Sequence, residues 1–206
     1  MNLTYLGDAL DHWKGSVFKY LNGAGVLRDL AIDSMAADSA DWTQADFRVF
    51  ARLLRIRETQ LIRHRASLSD RLQYFAEITH QGDLFLDPDT GIATGRVKHE
   101  VQYVKPTEVA QLLRRQEDRL IVVYQHVRAQ KVSARVDACL GALTREIGQH
   151  GWCSYESGTV AMLSLARRAG RTDQVGKALE DLLGRHAACR VRSGSENSRV
   201  IGSEAV

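Results

Sequence analysis

RLIVVYQHV, residues 119–127, is the stretch that decides the fold. Its continuous Leu-Ile-Val-Val run is too short for a helix of its own and rich in β-branched residues. Such a run suits a strand covered on both faces, as in a parallel sheet. The strand ends in polar residues. Side chains alternate along a strand, so Tyr124 and His126 share one face and Gln125 takes the other.

Working outward, helical patterns alternate with apolar runs. Before the central strand, KPTEVAQLLRRQED opens a helix with Pro106 in its first turn. After it, SARVDACLGALTREIGQHG predicts a helix with Val136, Cys139, Leu140, Leu143 and Ile147 on one stripe, ended by Gly151. Upstream, DLFLD (residues 83–87) reads as a short buried strand, and a loop is expected from there to about residue 104. SLSDRLQYFAEITHQG predicts a helix with Leu72, Phe75 and Ala76 inward, and TQLIRH a short strand. Thr43 is a candidate N-cap for a helix with Phe47, Phe50, Leu53 and Leu54 on its apolar stripe. GVLRDLAID contains a weak strand, and DALDHWKGSVFKYLN a helix with Leu10, Trp13, Val17 and Leu21 inward. At the other end, WCSYESGTVAMLSLARR predicts two strands joined at Glu156-Ser157-Gly158, followed by a helix over about 172–186. Alternation of this kind implies an α/β fold: a three-layer, Rossmann-like, mostly parallel sheet with a C-terminal antiparallel hairpin. The expected organisation is one domain over residues 1–190 and a polar, mobile tail over 191–206.

Composition fits this reading. The 206 residues are 44% hydrophobic and 26% charged, ordinary for a globular domain. No apolar run approaches the roughly 18 residues of a membrane span. The start, MNLTYLGDALDHWKG, lacks the basic and apolar regions of a signal peptide, so a cytoplasmic protein is expected. Cys139, Cys153 and Cys189 have no CxxC spacing, which argues against a zinc knuckle or a disulfide framework. The net charge of +3 is mild, but Arg48, Arg52, Arg55, Arg57, Arg63 and Arg65 cluster, as do Arg128, Lys131 and Arg135. Such groups form either solvated faces or contacts to the phosphates of a nucleic acid. No G-x-G-x-x-G or P-loop follows a strand, and no H-E-x-x-H or G-x-S-x-G is present. These absences argue against an ordinary dehydrogenase and a P-loop NTPase.

Sheets of this class bind ligands at the carboxyl ends of their strands. Two such ends carry chemistry here. In GDLFLDPDTGIATG (residues 82–95), Pro88 stops the ladder and Gly91 permits a positive φ, leaving Asp87 and Asp89 at the tip. A plain polar turn would use the same residues. Tyr124 and His126 end the central strand, beside Arg128, which suits an anionic ligand. Asp8, Asp11 and Lys14 are spaced three apart and can share one side of the first helix, for a site or for simple salt bridging. If that helix caps the carboxyl edge, its acids meet Asp87, and clustered carboxylates need a metal, a proton or a basic group to offset repulsion.

Taken together, YLGDALDHWKG, DLFLDPDTGIATG and VVYQHVRAQ resemble an uncharacterised bacterial family patterned Tyr-x-Gly-Asp, Phe-Leu-Asp-Pro-Asp-Asn-Gly and Val-Val-Tyr-Gln-His, over residues 5–167. More distantly, the chain resembles class I S-adenosylmethionine-dependent methyltransferases of the ribosomal-RNA adenine-N6 type, which carry Asp-Pro-Pro-Tyr after their fourth strand and end in an antiparallel hairpin. Asp87 and Pro88 match the first two motif positions, whereas Asp89 and Thr90 stand in place of Pro-Tyr. The glycine-rich cofactor loop after the first strand is also missing. The resemblance implies a methyltransferase-like protein acting on or binding nucleic acid, with S-adenosylmethionine as cofactor and Asp87 orienting the substrate. Asp87, Asp89, Tyr124 and His126 are the expected catalytic set, and Asp8, Asp11, Lys14 and Arg128 the expected substrate contacts. One alternative is a magnesium-dependent phosphodiesterase or nuclease using Asp87 and Asp89, although no acid-x-Lys tripeptide stands at the usual distance after Asp89. Another is a non-catalytic binding module of a mobile-element or defence system.

Overall fold

The computed structural model describes residues 3–36, 42–127 and 130–196. The chain forms a mixed α/β fold. Six helices, α1 (Ala9–Gly23), α2 (Gln44–Leu53), α3 (Arg71–Ala76), α4 (Pro106–Arg114), α5 (Val132–Ile147) and α6 (Ala169–Leu183), surround one main sheet among the described residues. The strands are β1 (Ala31–Asp33), β2 (Leu84–Leu86), β3 (Gly91–Ile92), β4 (Tyr103–Val104), β5 (Leu120–His126), β6 (His150–Ser157), β7 (Val160–Ala166) and β8 (Val191–Glu196).

The main sheet has the order β1-β2-β5-β7-β6-β8. β1, β2 and β5 are parallel neighbours, with Asp33 opposite Leu86 and Leu86 opposite Val123. β7 runs antiparallel to both β5 and β6, so β6 points the same way as β5, and four of the six strands share one direction. β8 covers the outer side of β6, antiparallel to it. The expected loop between residues 87 and 104 contains a small parallel pair, β3 with β4.

Strand alternation sorts the core into two faces. Phe85, Val122, Tyr124 and Met162 point to one side, where Val17, Phe18 and Leu21 of α1 and Val175 and Leu179 of α6 cover them. Phe18 meets Phe85 edge-on, ring centroids 4.7 Å apart. Leu84, Leu86, Ile121 and Val123 point to the other side, against Tyr74, Val109, Leu113, Val136, Cys139 and Leu143. Burying each such side chain contributes about 1.5–3 kcal/mol. α2 crosses α1 at Gly15, where an added Cβ would lie 1.9 Å from the Leu53 carbonyl oxygen. Thr43 caps α2 as its sequence predicts, in a reciprocal capping box with Asp46.

Several expectations are corrected. TQLIRH (residues 59–64) is no strand: its first two residues complete a 3-10 turn over Glu58–Gln60, and a single bridge then joins Leu61 to Ile32, because hydrogen bonding to β1 is confined to that point. The helix expected over 67–82 shortens to α3, and Leu72 is 86% exposed. Ala76 is exposed too, whereas Phe75 is buried as expected and Tyr74 joins it, its hydroxyl donating to Asp33 Oδ1 at 2.6 Å. α5 ends at Gly148, whose φ of 77° breaks the helix, and Gly151 belongs to β6. The segment 191–196, expected in the polar tail, is strand β8, held by its ladder to β6 and by Arg192, which binds Glu156 at 2.6 Å and Asp137 at 2.9 Å. No helix among the described residues is long and apolar enough to cross a membrane.

Candidate functional site

A cleft of about 170 Å³ opens at the carboxyl ends of β2 and β5, under the amino end of α1. Asp8, Asp11, Lys14, Asp87, Asp89, Tyr124 and His126 all line it, with Tyr5, Leu10 and Pro88. Three stretches distant in sequence thus converge on one place. Arg128, the remaining expected contact, lies outside the described residues.

Each element has a local reason for delivering its side chains. Asp8 is the N-cap of α1: its Oδ1 accepts from the Leu10 and Asp11 amides at 2.8 and 3.1 Å. One carboxylate oxygen of Asp8 is therefore structural. Asp11, one turn in, accepts the Gly7 amide on Oδ2 at 2.9 Å and presents Oδ1 to Lys14 at 3.2 Å. Lys14 follows one turn later and reaches across to Asp87 Oδ2 at 2.8 Å. All three of these last residues are buried. Asp87 leaves β2 with its amide still donating to the Asp33 carbonyl at 2.9 Å.

The DPDTG turn is clamped from behind by Gln125, which sits on the face opposite the cleft. Its Oε1 accepts the Ile92 amide at 2.9 Å, and its Nε2 donates to the Thr90 carbonyl at 2.9 Å. Gly91 is needed here: its φ is 124°, and a Cβ would lie 2.3 Å from Gln125. Arg135 supports the same loop by donating to Thr94 Oγ1 at 2.8 Å and to the Ile92 carbonyl at 2.6 Å. Two of its guanidinium nitrogens are thus engaged in holding this loop.

The electrostatics follow from this packing. Burial alone would lower the Lys14 ammonium, but Asp87 and Asp11 outweigh it and hold the group above its ordinary value. Burial raises the Asp87 carboxyl, with Lys14 pulling against it. The Lys14 ammonium also lies 4.2 Å from the centre of the Tyr124 ring, a cation–π contact. Burial, then the carboxylates of Asp87, Asp8, Asp11 and Asp89, push the Tyr124 phenol up, so it stays a neutral donor. Asp89 is half-buried at the rim, and Tyr5, 56% exposed, stands at the mouth. Among the described lining residues, the four carboxylates of Asp8, Asp11, Asp87 and Asp89 outnumber the Lys14 ammonium, with aromatic side chains at the wall and mouth.

A second buried polar cluster lies at the tip of β1, and sequence reading missed it. Asp33 accepts from Tyr74, from the Met35 amide at 2.9 Å, and faces His64 Nε2 at 3.0 Å. The His64 ring stacks on Tyr74, with centroids 3.5 Å apart. The signal was an acid ending a short apolar run, as at Asp87, but on a strand of three residues. Tyr5 was also missed, although it opens the Tyr-x-Gly-Asp stretch.

This cluster bears on the cofactor. A nucleotide-type cofactor at the first strand needs a glycine-rich turn that lets backbone approach it. Here Asp33, Ser34, Met35 and Ala36 are all buried, no glycine follows in the sequence up to Trp42, and the carboxylate at the strand tip is taken by side chains. These residues do not fit an S-adenosylmethionine cradle. For magnesium, no three His, Cys, Asp or Glu side chains among the described residues are placed to hold a metal ion, and Asp87 Oδ2 is held by Lys14. No family model matches the chain, and comparison with curated proteins finds no match.

Proposed function

We propose that the protein is a methyltransferase-like nucleic-acid-binding module whose cleft takes up a base by its amino-bearing edge, without transferring a methyl group. The observation that carries this reading is the buried Asp11–Lys14–Asp87 network flooring an electronegative cleft beside Tyr124. The base would stack against Tyr5 at the mouth, and the rim carboxylate of Asp89 would accept from its exocyclic amine. Asp87 would act through Lys14, which it anchors at 2.8 Å. The filled tip of β1 favours binding over methyl transfer. The phosphodiesterase reading lacks a set of metal ligands among the described residues.

Titrating adenosine, cytidine and uridine and following amide shifts by NMR tests this. Adenosine or cytidine should shift residues 5–14 and 87–90 and bind about tenfold more tightly than uridine, as expected for one charge-assisted hydrogen bond. Equal binding of all three, or shifts elsewhere, overturns the base-edge reading. Calorimetric binding of S-adenosylmethionine overturns the non-catalytic part.

A further inference from the structure

Six exposed arginines lie close together along and just after α2. Residues 44–65 carry six arginines against Asp46 and Glu58, an excess of four, whereas the whole chain has a net charge of only +3. Arg48, Arg52, Arg55, Arg57, Arg63 and Arg65 are all exposed. α2 and the segment after it form one continuous surface, because Arg48 and Arg63 approach opposite oxygens of Glu58, each at 3.6 Å. Pairs this long between half-exposed side chains are weak, so the guanidinium donors remain available to a ligand. Arg63 also lies over the Phe47 ring at 5.0 Å, and Phe47 lies 5.0 Å from Trp42, which adds aromatic character to the face.

The face leads to the cleft. α2 crosses α1 at Gly15, and its Leu53 side chain comes within 4.0 Å of where a Cβ on Gly7 would stand. Gly7 lies between Tyr5 and Asp8, both lining residues. The helix that carries Arg48 and Arg52 therefore packs against the segment that borders the electronegative cleft. That pattern sorts the parts of one kind of ligand. A phosphodiester backbone is attracted to the arginines and repelled by Asp8, Asp11, Asp87 and Asp89, while uncharged bases can lean towards the acids. A duplex keeps its amino edges paired. Polyglutamate carries no base to set beside the acids.

We infer that the arginine face of α2 and residues 55–65 binds the backbone of a single-stranded nucleic acid, next to the cleft. This rests on the reading of the cleft as a base-binding site. The test is fluorescence anisotropy of a labelled single-stranded 12-mer with the wild-type protein and with the double variant Arg52→Gln, Arg55→Gln, over a series of salt concentrations. The double variant should bind at least about tenfold more weakly at 0.1 M salt, with a salt slope shallower by roughly one to two, and should melt at the wild-type temperature. Unchanged affinity and slope in a folded double variant overturn the inference, as does equally tight binding of the matching duplex or of polyglutamate. The adenosine titration separates the two readings. Adenosine in the cleft with no effect of the arginine variant sinks the face and leaves the cleft reading standing. Loss of oligonucleotide binding in the arginine variant, with no adenosine in the cleft, supports the face and sinks the cleft reading.

Discussion

β2 has a buried aspartate at each end, and the two do different work. Asp83, before the strand, accepts Arg171 at 2.6 Å, the Arg28 amide at 2.7 Å and the Leu120 amide at 2.9 Å. Asp87, after the strand, is paired with Lys14 at 2.8 Å and borders an open cleft. Both are buried and both face a buried cation. The difference is what surrounds them. Around Asp83 the partners are protein groups packed on all sides, so the pair pins the amino ends of β2 and β5 to α6. Around Asp87 the packing gives way to the cleft that we propose as a base-binding site. Burial and pairing alone do not mark a site; an adjoining space does.

This contrast can be broken by substitution. Asp83→Ala leaves the Arg171 guanidinium buried without its counter-charge, and should cost about 3–5 kcal/mol in urea unfolding. Asp87→Asn leaves Lys14 its second partner, Asp11, and an opening to water, so about 2 kcal/mol is expected. Equal losses would remove the distinction between the two ends of the strand. A pH series sharpens it further. Lys14 has a folded-state value above its ordinary 10.5, so its contribution is complete below that pH and is lost as pH rises through the raised value. Stability should therefore fall at alkaline pH in the wild type and fall less in Lys14→Met, compared by thermal melts. The smallest stability effect belongs to Asp89→Asn, within about 0.5 kcal/mol for a half-buried rim side chain. That variant should nonetheless lose the preference for adenosine over uridine.

Legibility in the sequence tracked how much local structure each residue carried. α1 was readable from its acids and its apolar stripe, and β5 from its unbroken apolar run. The convergence of Asp8, Asp11, Lys14, Asp87, Asp89, Tyr124 and His126 could be anticipated, because strand order and strand ends are tied together in such sheets. What could not be read was anything set by partners far along the chain. Arg192 and its neighbours look like a polar tail, and become a strand only because β6 offers them a ladder. Arg135 looks like a surface charge, and is spent on the carbonyl of Ile92. Asp33 ends a strand of three residues, and its meaning comes from His64 and Tyr74, some thirty and forty positions later.

Arg171 has a consequence for how the molecule comes apart. Its guanidinium reaches the Val26 carbonyl at 2.9 Å, the Asp118 carbonyl at 3.2 Å and the Asp83 carboxylate, tying α6 to three earlier segments. Detaching α6 would strand a charge beneath β2 and β5, so local fraying of that helix is suppressed. Amide protons of α6 and β2 should then exchange with solvent through one shared opening event, at one free energy, making the last helix and the middle of the sheet a single cooperative unit.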